Sequence, residues 1–118
     1  MKTATDPRHI KRIKLFKQLF PLSFPQKSPL PKTIKTIKTH FKKIDKIIAQ
    51  SAPEWPVDKL NKVDLAILRL AIYELIIVKK TPPKVIIDEA VEIAKEFGTE
   101  KTPKFINGVL GNVIKSNK

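Results

Sequence analysis

Apolar residues return at three- and four-residue steps through most of this chain, and its elements follow from where that rhythm is broken. Ile10, Ile13, Phe16, Leu19 and Phe20 keep the helical step, while Arg8, Lys11, Arg12, Lys14 and Lys17 fall mainly on the other side. Asp6-Pro7 supplies an N-cap and a first-turn proline, and Pro21 ends the run, so the pattern predicts a basic amphipathic helix over 6–20. The stretch PLSFPQKSPLP (21–31) carries four prolines and reads as an irregular linker. A second basic helix is predicted over 33–50, with Ile34, Ile37, Phe41, Ile44 and Ile48 as its apolar stripe and Lys35, Lys38, Lys42, Lys43 and Lys46 outside it.

From 57 to 118 the pattern becomes that of a helical core. Ser51-Ala-Pro-Glu-Trp-Pro56 breaks the preceding helix, and Trp55, as a lone Trp, is expected to pack on the core. The segment VDLAILRLAIYELIIV (Val63–Val78) holds only three charges, Asp64, Arg69 and Glu74, which at 100° per residue point in three different directions. A helix with no wide polar face is a buried central helix, so each charge has to reach a rim, an ionic partner or another protein. Arg69 is read as structural. Thr81-Pro-Pro83 turns the chain into a helix over Lys84–Phe97, with Gly98 at its C′ position. On that helix Asp88, Glu89, Glu92, Lys95 and Glu96 form one exposed, net negative strip. Thr102-Pro103 opens a last helix to about Lys115, where Gly108 and Gly111 permit close packing or local irregularity. No segment alternates with period two between hairpin turns. The expectation is an all-α single compact domain over 1–118, of about five to six helices in an orthogonal or bundle-like packing.

Composition narrows the function. With 118 residues and 42% hydrophobic content the chain can build a core, and no apolar run is long enough to predict a transmembrane helix. The start MKTATDPRHIKRIK lacks the apolar stretch of a signal peptide, and a cytoplasmic location is expected. Cys is absent and only His9 and His40 could serve as imidazole ligands, so neither a metal site nor a cofactor is expected. There is no glycine-rich phosphate loop, and Ser23, Ser28, Ser51 and Ser116 have no base near them in sequence, so no catalytic residue is assigned and an enzyme is not expected. Charge is the positive clue. The net charge is +13, and it is uneven: residues 1–50 hold 13 basic and 2 acidic side chains, residues 51–118 hold 11 and 9. The segment RHIKRIK packs Arg8, His9, Lys11, Arg12 and Lys14 into two turns, a density suited to neutralising phosphates by counterion release. Membrane binding is disfavoured, because it would take the apolar face of that helix out of the core.

Three further segments carry a resemblance. DLAILRLAIYEL (Asp64–Leu75), PPKVIIDEAVEIAKEFG (Pro82–Gly98) and KFINGVLGNV (Lys104–Val113) occur in this order. Together they closely resemble the C-terminal half of the NusB transcription antitermination family, and RHIKRIKLFKQLF is similar to that family's Arg-rich first helix. The resemblance implies an all-helical protein that pairs with the ribosomal protein NusE. It further implies binding of single-stranded boxA-type RNA and entry into an antitermination complex on RNA polymerase, which aids ribosomal RNA transcription and biogenesis. By position it assigns Arg8, His9 and Arg12 to an RNA-contacting helix, with Lys11 and Lys14 beside them in the basic segment. It assigns Lys101, Lys104 and Phe105 to an RNA-facing loop and helix start, and Phe20 and Asp64 to the NusE-facing surface. Phe105 bracketed by Lys101 and Lys104 suits single-stranded RNA, where aromatics stack unpaired bases and cations hold the backbone. A purely structural Phe105, one turn from Val109, stays open beside that reading. The chain departs from the family pattern in a short connection before Asp64, which implies that a helix of the N-terminal half is reduced or lost. It departs also in Asp88, Lys101 and Leu65. Two other readings stay open: a general RNA-binding or ribosome-assembly protein, and a detached accessory domain of a ribosomal RNA methyltransferase. A homodimer is left open as well.

Overall fold

The computed structural model describes residues 6–23 and 29–117, and among them all regular structure is helical. Helix α1 spans Pro7–Leu19. Asp6 caps it by accepting the Arg8 backbone N–H at 2.9 Å, and Pro7 takes the first position, where a missing N–H costs nothing. A short 3₁₀ turn, Phe20–Ser23, follows. Residues 24–28 of the proline-rich linker lie outside the described residues.

The pattern over 33–50 predicts one helix, but the chain forms two, α2 (Lys32–Lys38) and α3 (Phe41–Ser51). The break lies at Thr39-His40. There the Thr39 hydroxyl donates to the Thr36 carbonyl at 2.6 Å, and the His40 N–H bonds to Ile37 three residues back instead of four. Threonine side chains that bond back to the helix compete with its ladder in this way. The apolar step survives the break, because Ile34, Ile37, Ile44 and Ile48 are all fully buried.

Helix α4 (Lys62–Ile72) is the centre of the molecule. Asn61 caps it, accepting the Val63 N–H at 2.8 Å, and every residue from Leu65 to Ile72 is buried. The predicted all-round burial stops there. Tyr73–Val78 widens into a π-helix with half-buried side chains and an exposed Val78, and it ends at Lys79 in the left-handed region (φ 57°). Each of the three charges on this segment is held by a different helix. Asp64 accepts from Thr102, Arg69 pairs with Asp45 and Glu74 pairs with Arg12. Arg69 also lies over the Phe41 ring, 4.1 Å from its centroid, which bears out its structural reading.

Helices α5 (Pro83–Phe97) and α6 (Thr102–Ser116) form the most extensive helix pair; α5 buries Ile86, Ala90, Ile93 and Ala94, and α6 buries Ile106, Val109, Leu110 and Val113. Gly98 closes α5 in an extended conformation (φ −96°, ψ −169°), not in the left-handed geometry of a C′ glycine. Its role is steric. A Cβ at Gly98 would sit 2.5 Å from the Cβ of Thr102, which is 2% exposed. Gly108 and Gly111, read in sequence as permitting close packing or local irregularity, have nothing within 4 Å of an added Cβ, so neither marks a close approach. Gly98→Ala is therefore expected to destabilise the fold by about 1–3 kcal/mol through forced displacement of Thr102. Gly108→Ala is expected to add about 0.5–1 kcal/mol through helix propensity alone. Urea denaturation midpoints of the two variants should move in opposite directions.

Candidate nucleic-acid interface

The basic residues of α1 divide into two sets. Arg8, Lys11 and Lys14 are exposed. His9 and Arg12 turn inward, because they continue the buried face set by Phe16 and Leu19 at steps of three and four. The Arg12 guanidinium is bidentate to Glu74, Nη2 donating to Oε1 at 2.8 Å and Nε to Oε2 at 2.9 Å, while Nη1 donates to Glu89 Oε1 at 3.1 Å. Glu89 also takes His9, Oε2 lying 2.7 Å from Nδ1. The hydrogen bond with Glu74, aided by the charges of both carboxylates, drives the Arg12 pKa up despite burial that opposes it.

Two sequence readings change with this cluster. Arg12 is 8% exposed and committed to two carboxylates, so it does not lie on the accessible basic face. Glu89 is 3% exposed and leaves the acidic strip, because it shares the buried stripe Ile86–Glu89–Ala90–Ile93. The spacing that places both residues inside is visible in the sequence; a charged residue in an apolar register reads as surface only if its partner is unseen. Ile10, counted in the apolar stripe of α1, is 50% exposed, on the side of the helix away from Phe16.

A second group forms where the α3–α4 loop meets the start of α6. Lys101 and Lys104 are exposed, and Phe105 is half-buried against the edge of the core. Trp55 does not enter the core as expected. It is 53% exposed and meets Phe105 edge to face, with ring centroids 6.3 Å apart and planes at 79°. The turn closed by the Trp55 N–H on the Ala52 carbonyl (3.0 Å), with Pro53 and Pro56 on either side, carries the indole outward. A groove of about 340 Å³ runs beside this pair, lined by Lys59, Asn61, Asp64 and Lys101 among others. Asp64 is half-buried and accepts the Thr102 hydroxyl at 3.0 Å; burial pushes its pKa up, against that hydrogen bond. A second groove, bordered by Glu54, Lys104 and Asn112, lies along the other side of the two rings.

Of the sequence-assigned residues, the fold brings Asp64, Lys101 and Phe105 to one groove. His9 and Arg12 meet on Glu89, and Arg8, Lys11 and Lys14 stand on the open face of α1. Phe20 packs elsewhere, near Phe16 (6.5 Å between centroids), at the end of α1. Trp55 is the residue that sequence reasoning missed. Its flanking prolines, which hold a short loop at the surface, were the available signal. Chemically, the two regions offer exposed cations for phosphate and an exposed indole braced by the half-buried Phe105 for a flat ring. Among the described residues no three His, Asp or Glu side chains are grouped to hold a metal ion, and no helix is long and apolar enough to cross a membrane.

Comparison with known proteins gives consistent likenesses. Residues 8–115 match the family model described as the NusB family. The transcription antitermination protein NusB of Chloroflexus aggregans is 52% identical over 77 residues, which is 64% of this chain and 51% of that protein. The chain thus spans about half the length of the curated relatives it matches. Among solved structures, T. maritima NusB superposes with a TM-score of 0.82 at 36% identity, covering 98% of this chain and 93% of that one. A chain from a crystal structure of the antitermination factors NusB and NusE in complex with double-stranded RNA gives 0.78 at 25% identity, covering 94% and 99%.

The two basic sets should separate in stability measurements. Arg12→Ala strands Glu74 and removes one partner of the buried Glu89, and it is expected to cost about 3–5 kcal/mol, whereas Arg8→Ala should stay within about 0.5 kcal/mol of the wild type. Asp64 gives a pH signature. Its folded pKa lies above the unfolded one, so its favourable contribution is complete at low pH and is lost as pH rises through the folded value. Asp64→Asn keeps an acceptor for Thr102 and removes this dependence. The variant should match or exceed wild-type stability at neutral pH, and its margin should close on acidification through the carboxylate range.

Proposed function

The chain belongs to the NusB family, and we propose that it is a transcription antitermination factor that binds single-stranded boxA-type RNA together with the ribosomal protein NusE. In this reading the complex seeds antitermination on RNA polymerase in the cytoplasm and supports ribosomal RNA transcription and biogenesis. The observation that carries it is the superposition, over nearly the whole chain, on a chain from the structure of the antitermination factors NusB and NusE in complex with double-stranded RNA. The protein acts by binding rather than by catalysis.

The RNA-facing set is Arg8, Lys11 and Lys14 on α1, with Lys101, Lys104 and Phe105 at the start of α6. The exposure of all five cations supports it. His9 and Arg12 serve the same surface indirectly, fixing through Glu89 and Glu74 which face of α1 is turned outward. Phe20 and Asp64 form the NusE-facing positions. Asp64 borders the groove that Phe105 lines, so the NusE and RNA surfaces share an edge and binding of one partner can build part of the site for the other. A second reading, a general RNA binder without boxA selectivity, draws on the double-stranded RNA in that solved neighbour.

If each of the five cations neutralises one phosphate of a single strand, log K should fall against log salt with a slope of about −3.5. Arg8→Glu with Lys11→Glu should weaken binding at low salt and reduce the slope by roughly 1.4, with the helical circular dichroism unchanged. A salt-independent affinity would remove the electrostatic basis. Titrations of boxA-like and scrambled RNA, with and without NusE, separate the two readings: NusE-enhanced preference for boxA supports antitermination, and equal binding supports the general RNA binder.

A further inference from the structure

Folding does not account for the exposure of Trp55. An indole is the largest apolar side chain available, and leaving half of it in water forgoes burial that the adjacent core edge could supply. A single exposed hydrophobic residue is ordinary, but this one is neither isolated nor loosely held. Pro53 and Pro56 restrict the loop on both sides, the Trp55 backbone N–H donates to the Ala52 carbonyl, and the indole is braced against Phe105. Two rings at 79° make a corner, one wall presenting a face and the other an edge. Grooves open along both sides of it, with Lys59 and Lys101 on one side and Lys104 on the other. Asp64 and Glu54 are the acidic groups lining these grooves, so the lysines outnumber them.

We propose that Trp55 and Phe105 form a stacking corner for one unpaired RNA base, with Lys59, Lys101 and Lys104 holding the phosphates that flank it. This rests on the RNA-binding reading above and adds to it a residue and a ligand geometry. A base lies flat on the exposed indole with its edge against Phe105, and the chain of the RNA leaves along the two grooves. The perpendicular rings leave no slot between them, so the base stacks on the outside of the pair and is not clamped between the rings. Stacking of this kind discriminates paired from unpaired RNA, because a base within a duplex has no free face. The restricted loop also matters, since an aromatic ring already fixed in place loses little freedom when the base arrives.

The protein contains one Trp, so its indole emission reports Trp55 alone. The test titrates the full chain with a short unstructured RNA, with a duplex of the same sequence, and with inorganic polyphosphate as a base-free polyanion. The expected result is strong quenching by the single strand and little by the duplex or polyphosphate, although all three bind at low salt. Trp55→Ala should weaken single-strand affinity on the order of tenfold and leave polyphosphate affinity unchanged, while Trp55→Phe should recover most of the loss. Single-strand binding without quenching, or with equal affinity in Trp55→Ala, overturns the stacking corner and leaves the RNA-binding reading standing. Equal quenching by polyphosphate overturns it too, since no base is then needed. Failure of every RNA to bind at low salt removes the RNA-binding reading, and the corner falls with it.

Discussion

The structure depends on how a buried helix disposes of its charges. Helix α4 runs through the centre with eight consecutive buried residues, and Val63–Val78, which takes in all of α4 but its first residue, carries one acid near its start, one Arg in the middle and one acid beyond the end of α4. None of these charges could be left unpaired in that setting without a large desolvation cost. Each is met by a different neighbour: Thr102 of α6, Asp45 of α3 and Arg12 of α1. The apolar surface of α4 would accept those helices in several registers, since isoleucine and leucine contacts are not directional. The bidentate forks of Arg12 and Arg69 do not tolerate a shift of one turn. The polar contacts therefore fix the arrangement that the apolar contacts drive. Arg69 does so incompletely, as its Nη1 is buried with no hydrogen-bond partner among the described residues.

That arrangement decides which charges face solvent. Arg12 and His9 are spent internally on Glu74 and Glu89, and the same contacts set the rotation of α1 about its own axis. Arg8, Lys11 and Lys14 are thereby held on the outside of a helix that cannot roll. A basic helix on a loosely packed face would present its cations only as an average over orientations. Here one buried and one half-buried carboxylate, Glu89 and Glu74, convert sequence charge into a fixed surface pattern. The cost of the burial falls on stability, and the gain is in the geometry of the exposed face.

Helix content, the central position of α4 and the structural role of Arg69 were legible from periodicity, because apolar spacing reports burial directly. The three motifs at Asp64–Leu75, Pro82–Gly98 and Lys104–Val113 made the family legible as well. What periodicity could not supply was partnership. Glu89 and Arg12 each sit in an apolar register on their own helix, but they are 77 residues apart in sequence, and their pairing exists only in the packed molecule. The break at Thr39-His40 was hidden because the isoleucine step continues across it while hydroxyl groups interrupt the backbone ladder. Trp55 was misplaced for the opposite reason. Its residue type favours burial, and only the proline-bounded loop around it argues for the surface.

The two candidate binding regions differ in what they can recognise, and that difference bears on selectivity. On the proposed reading the cations of α1 would act on phosphate, which every nucleic acid carries, so they would add affinity without distinguishing sequence. The α6 start adds a constraint of shape, because Phe105 and its neighbouring indole can engage only a ring with a free face. Asp64 lies on the border of that region, bonded to Thr102 and held half-buried. A partner that packed against Asp64 would bury it further and tighten the edge of the same groove. Discrimination would then arise where the partner surface and the aromatic pair adjoin, while the basic helix would supply attraction that does not depend on sequence.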